Sequence, residues 1–504
     1  MASVSKVSAI SKIFTKLGDN TNSLIPMYAK DVTSDTLTSL TYYREGGNRD
    51  WAEKTLEEFG TGVVWLGGIP LIKKIFDKTV YKKAGINPDI DAKRLFSGND
   101  KNVVDTVEFA KEKASSLGSS FKEQTDILTH TIKNKTAAKN LALGKFGLAT
   151  ALTGLGLFGI ITYKQKQTEK AVEKQVRDKL AKEKVLKNAI NETPVYQAFK
   201  GNKKTENNDK TSFKGLGTFF MTNPIANTSL VDCVITGTRL AQARKGERFE
   251  VGLKEACEIA FIYGLAAPLQ KLMEFTGKKV FNKPINLDYA VLDSDVLKQA
   301  IQEEKNAKGT SKLLKQAKEI VNLAEYDNMP KGNINSIKEK GAGLFKKAKI
   351  NPQKNESAKK VIDYLFDNQD SAIADVFKKS GNVSVFKTKE GAEQLSLLSS
   401  IDTDKLKTTA QNTIDIIENA AKEADITKYL KKTKCLKGAA IIANIGISAI
   451  LMGYLQPKLN LYLRKKLHGG SNTNPAIEEL TKQMEQKMAF EGCEKNNECE
   501  TKAQ

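Results

Sequence analysis

The residue types that carry most enzyme chemistry are sparse in this chain. His130 and His468 are its only histidines and lie far apart, so spacing offers neither a His-based triad nor a zinc set. Asp-x-Asp pairs occur at Asp89/Asp91, Asp293/Asp295 and Asp402/Asp404. Carboxylates two apart can hold a divalent cation together with nucleotide phosphates. Their commoner use is to accept hydrogen bonds from the first N–H groups of a helix, and that use is expected here. The cysteines, Cys233, Cys257, Cys435, Cys493 and Cys499, are odd in number, and only the last two are close together. With no histidine beside them, free thiols are expected, and neither a disulfide framework nor a metal site. No phosphate-binding loop, nucleophile elbow or H-E-x-x-H occurs, and Gly341-Ala342-Gly343 lacks both a preceding strand and a third glycine. The expectation is a non-enzymatic protein with no cofactor, no metal site and no catalytic residue.

The charge is unbalanced in a telling way. A formal net charge of +21 attracts polyanions. The lysines flank apolar stretches: Lys73, Lys74 and Lys78 follow one, Lys164, Lys166 and Lys170 a second, and Lys431, Lys432 and Lys434 precede another. Arginine is scarce beside lysine. That placement points to a bilayer with anionic headgroups as the partner and disfavours nucleic acid.

The elements that set these lysines are two uncharged stretches, Phe146–Tyr163 and Gly438–Leu455. As helices of about 18 residues they would each span ~27 Å, close to the hydrocarbon thickness of a bilayer. Tyr163 and Tyr454 stand at their ends, where an amphipathic ring suits the interface. Two shorter apolar runs, Gly60–Ile72 and Ile259–Leu269, read as tilted or half-inserted helices. Small residues at helical spacing, Gly147 with Ala151 and Thr150 with Gly154, predict a close helix-packing face, as do Gly446 and Gly453 in the last stretch. Such faces also allow a homo-oligomer. Asn444 is the one strongly polar side chain inside the last stretch, and its amide is expected to bond across helices. Neither long stretch contains Asp, Glu, Lys or Arg, which weighs against active transport.

The second half repeats anchors of the first in order. Pro70–Phe76 (PLIKKIF) is echoed by Pro268–Phe275 (PLQKLMEF), Ile86-Asn87 by Ile285-Asn286, Lys135-Thr136 by Lys432-Thr433, and Leu157-Phe158-Gly159 by Leu451-Met452-Gly453. Ordered self-similarity of this kind predicts a duplication. The divisions are then an amphipathic basic helix over 1–18, a first membrane-associated repeat over 19–163, and a charged helix with linker over 164–215. A second repeat starts over 216–289, pauses for a soluble helical insertion at 290–420, and ends over 421–466. A polar tail covers 467–504. The helix after Lys164 is expected to be largely solvated, and Val383–Phe386 has the composition of a strand but no obvious partner.

The fold class expected is all-α, a multi-pass helical membrane protein with two duplicated hydrophobic hairpins and a soluble helical insertion. Its role would be to organise a membrane or anchor to one, with the lysine-rich loops in the cytoplasm. The alternatives are a pore or passive transporter lined by glycine-rich helices, and a soluble basic helical protein that binds polyanions.

Overall fold

The computed structural model describes residues 9–18, 25–45, 48–96, 107–187, 224–244, 246–281, 283–325, 352–467 and 474–501. Residues 1–8, the linker at 201–214, Gly341–Gly343 and His468 lie outside them, as do the side chains of Cys493 and Cys499.

The protein is mostly helical. In chain order the helices are α1 (Ala9–Gly18), α2 (Ile25–Glu45), α3 (Asn48–Ala84), α4 (Ala92–Leu95), α5 (Val107–Ser116), α6 (Lys122–Lys133) and α7 (Lys135–Lys187). Then come α8 (Pro224–Gln242), α9 (Arg248–Ile259), α10 (Ala266–Val280), α11 (Tyr289–Leu292), α12 (Asp295–Asn306), α13 (Lys312–Leu323), α14 (Pro352–Asp367) and α15 (Ala372–Lys379). A two-stranded hairpin, β1 (Val385–Lys387) and β2 (Glu393–Leu395), precedes α16 (Thr403–Ala421), α17 (Ile426–Leu467) and α18 (Pro475–Thr501). The partner that Val383–Phe386 lacked in the sequence is β2, paired antiparallel with Val385 opposite Leu395. Glu393-Gln394 is too short and polar to read as a strand. Gly391, at φ 86°, makes the connecting turn.

The short stretch at Gly60–Ile72 is the middle of an unbroken helix, because the backbone widens to accept its proline. A π-turn at Val63–Gly68 precedes Pro70, another at Ala260–Gly264 precedes Pro268, and a third at Leu451–Leu455 precedes Pro457. Proline cannot donate the helical hydrogen bond and crowds the carbonyl four residues back. A wider turn just ahead of it relieves that crowding, so the helix runs on through Pro70 and Pro457, while a bend at Leu265 sets α10 apart from α9.

One apolar core joins segments distant in sequence. Residues between Tyr81 and Ala142 pack with residues between Leu287 and Leu430. Phe121 meets Phe366 edge to face at 6.1 Å, and Lys113 clasps Asp363 and Asp367 at 3.1 and 3.0 Å. The Gln124 amide donates to Leu395 O and accepts from Leu397 N, tying α6 to the hairpin. Thus α5 and α6, which the sequence places in the first repeat, complete a helical domain with α12–α16. Each amphipathic helix needs a partner for its apolar face. Helix α1 docks on this domain: Phe14 stacks on Tyr289 at 5.1 Å, and Ser11 donates to Asp293 at 2.7 Å.

The remaining helices form a bundle with crossed partners. Helix α2 lies along α17, and α8 lies along α7, while α3 packs on α7 and α9 on α17. The charged end of α7 is not simply solvated. Val172 and Val176 are buried against Ile477 of α18, so the thin apolar stripe of one helix is covered by the tail helix.

Among the described residues, three helices, α3, α7 and α17, are long and apolar enough to cross a membrane. In their most apolar windows only 11%, 22% and 39% of residues are buried. Val63 is 72% exposed, Leu155 66% and Ile442 62%, and Leu71, Phe158, Leu272 and Phe275 also face outward.

Candidate functional site

Where an ordinary amphipathic helix turns apolar residues inward, α3 turns charged ones. Asp50, Glu53, Lys54, Glu57, Glu58 and Thr61 are all buried, at the i, i+3, i+4, i+7 spacing of a single face. Helix α9 does the same with Lys254 and Glu255. The two faces are stitched through basic residues from neighbouring helices. Arg464 of α17 bridges Asp50 at 2.5 Å and Glu250 at 2.7 Å. Tyr42 of α2 donates to the same Glu250 at 2.8 Å. Arg239 of α8, only 5% exposed, pairs with Glu255, with Glu58 at 3.3 Å, and donates to Thr61 at 3.1 Å. Lys254 pairs with Glu58, and Lys164 of α7 reaches Glu57 at 2.9 Å. Each of these bridges joins carboxylates and cations from different helices. Such pairs return little net stability over an apolar core, but removing one partner strands a buried charge.

This charged layer sits at one end of the apolar runs. On α3 and α9 it precedes them; on α7 and α17 it follows them. The helical domain occupies the other end, since Tyr81, Ile86, Ala138, Leu287 and Leu430 all belong to its core.

At the inner edge of the layer is an acid-lined pocket between α2, α3, α8 and α9. Asp31, Asp35, Glu58, Asp232, Glu255 and Glu258 face it, with Arg239, Thr61 and Trp65. Six carboxylates thus gather round the single guanidinium of Arg239 in this pocket. Among the described residues no three His, Cys, Asp or Glu side chains are placed to hold a metal ion.

The sequence-derived candidates distribute as follows. Asp91 and Asp402 cap helices, accepting from Lys93 N and Lys405 N at 3.1 Å. Asp293 is held by Lys434 at 2.7 Å and by Ser11. Gly453 is the tightest helix contact of the set. A Cβ there would lie 2.5 Å from Ser34 O and 2.6 Å from Leu37 Cβ of α2. Gly154 faces Val234 of α8, where a Cβ would lie at 3.1 Å. Gly147 and Gly446 have open space beside them, Ala151 is exposed, and Thr150 donates to Phe146 O at 3.0 Å within its own helix. Asn444 is buried, and its Oδ1 has no hydrogen-bond partner.

Sequence reasoning passed over the charged layer, because Arg239 and Glu250 fell in the start of the second repeat, 216–289, where only the apolar run and its proline were read. A signal was available. Asp50/Lys54/Glu58 and Glu250/Lys254/Glu258 repeat acid, lysine, acid at i, i+4, i+8 ahead of the two proline-containing runs.

No family model, curated protein or solved structure matches this chain.

Proposed function

We propose that the protein is a non-enzymatic, multi-pass membrane protein that anchors its helical domain at one face of a bilayer. The observation that carries this reading is the outward apolar belt on α3, α7 and α17. Burying one large apolar side chain is worth about 1.5–3 kcal/mol, so leaving roughly ten in water forgoes about 15–30 kcal/mol. Lipid around the belt recovers that free energy, and the same belt weighs against a soluble polyanion-binding protein.

The shared core of residues 81–142 and 287–430 favours a return crossing, with α9 and α10 bringing the chain back between α7 and α17. A chain crossing only twice would put those two segments on opposite sides. The lysines of the domain side would place it in the cytoplasm. The crossed packing of α2 on α17 and α8 on α7 supports a duplication in which the first helix of each repeat lies on the last helix of the other. Alkaline carbonate washing of membranes tests the reading: the protein is expected in the pellet, and release into the supernatant overturns it.

The acid-lined pocket favours a second reading, a passive pathway for small cations between the repeats. Purified protein in liposomes is the test, and absence of cation flux removes that reading while leaving the first intact.

A further inference from the structure

A second cleft opens at the domain end of the belt, between α1, α2, α10 and α17. Lys30, Lys437, Asn444, Gln270 and Glu274 line it with apolar Ile441 and Met273. Lys30 is only 4% exposed, yet no hydrogen bond or ion pair from it is formed among the described residues. The Asn444 Oδ1 beside it is also buried without a partner. The one carboxylate in the cleft, Glu274, accepts from Gln270 at 3.0 Å. A buried ammonium with no counter-charge costs several kcal/mol unless an anion reaches it.

We propose that this cleft binds the phosphate of an anionic phospholipid, held by Lys30 and Lys437, with its chains lying along Ile441 and Met273. The depth suits such a ligand. Lys437 is the residue just before the uncharged run Gly438–Leu455, so it sits where a headgroup meets hydrocarbon. Ile441 follows one helical turn further in. Lys30 is the uncompensated cation of the cleft, and the apolar walls select a ligand with a tail over a free ion. Basic pockets between membrane helices recognise headgroups in this way. The inference rests on the membrane reading above.

The test uses the full chain in neutral detergent, probed by native mass spectrometry with phosphatidylglycerol and phosphatidylcholine. The wild type is expected to retain phosphatidylglycerol at least tenfold better. Lys30→Met and Lys437→Gln should abolish that preference, and Lys166→Gln, at an exposed juxtamembrane position, should keep it. Lys30→Met should also melt higher than wild type when no lipid is present, because the unpaired buried charge is gone. Equal retention of the two lipids, or a preference unchanged in Lys30→Met, overturns the site. A lower melting point for lipid-free Lys30→Met also overturns it, since Lys30 would then have a partner within the protein. Displacement of the lipid by millimolar inorganic phosphate overturns the lipid assignment in favour of a free-anion site. Failure of the membrane reading would show separately, as release by carbonate.

Discussion

The helical domain and the helix bundle bury opposite kinds of side chain at the same spacing. In α16 the inward face is Leu406, Ala410, Thr413, Ile417 and Ala420; in α3 it is Asp50, Glu53, Lys54, Glu57 and Glu58. Helical period says which face is inside, while the solvent says what that face can be made of. In water the apolar face turns inward. In lipid, apolar residues cost nothing outside, so small and polar residues hold helices together. On the membrane reading proposed above, the bundle follows the second rule; the domain follows the first.

The largest test of the contrast is Arg239→Leu. It leaves Glu255 buried without its cation and Glu58 with Lys254 alone, and about 3–5 kcal/mol of stability should be lost, read as a fall in the thermal midpoint of the detergent-solubilised protein. Arg239→Lys should recover part of it.

Apolar truncation should then separate the two regions. Ile301 is fully buried in the domain, and Ile301→Ala should cost about 2–5 kcal/mol. Leu155, on the outward belt, should cost within about 0.5 kcal/mol on the same change. Equal losses at the two positions in chemical denaturation would erase the distinction.

Smaller effects come from the glycines. At Gly453 a Cβ would press on the backbone of α2, so Gly453→Ala should cost about 1–3 kcal/mol. Gly147 has open space, and Gly147→Ala should be neutral or gain up to about 1 kcal/mol of helix propensity. Thermal melts of both variants check the pair.

The smallest effect is in pH. The Asp293 carboxyl is held below its ordinary range: burial opposes, but hydrogen bonds from Lys434 and Ser11 outweigh it. Its contribution to stability is present above the ordinary carboxyl range and is lost as pH falls. Asp293→Asn should remove that acid-side loss, and melting curves across pH for wild type and variant check the sign.

Much of the helical character was legible, because long uncharged runs and 3.6-residue periods leave few alternatives. The break at Ser115–Ser120 was legible too, and appears as Gly118 at φ 77° between α5 and α6. The charged layer was not. A scan for apolar faces cannot register a buried face made of Asp50, Lys54 and Glu58, whose partners Arg239, Glu250 and Arg464 lie far along the chain. Nor could it join α5 and α6 to α12–α16, since a shared core between distant segments leaves no local mark. Of the small residues, Gly453 and Gly147 look alike in sequence, and only the position of α2 separates them.

The account turns on whether the charged layer and the helical domain lie on opposite faces of a membrane. Single cysteines at Lys182→Cys, on the exposed end of α7, and Lys308→Cys, after α12, in a cysteine-free background report this directly. In sealed vesicles an impermeant maleimide should label one of them from outside and the other only after the membrane is opened. Labelling of both from the same side would contradict it.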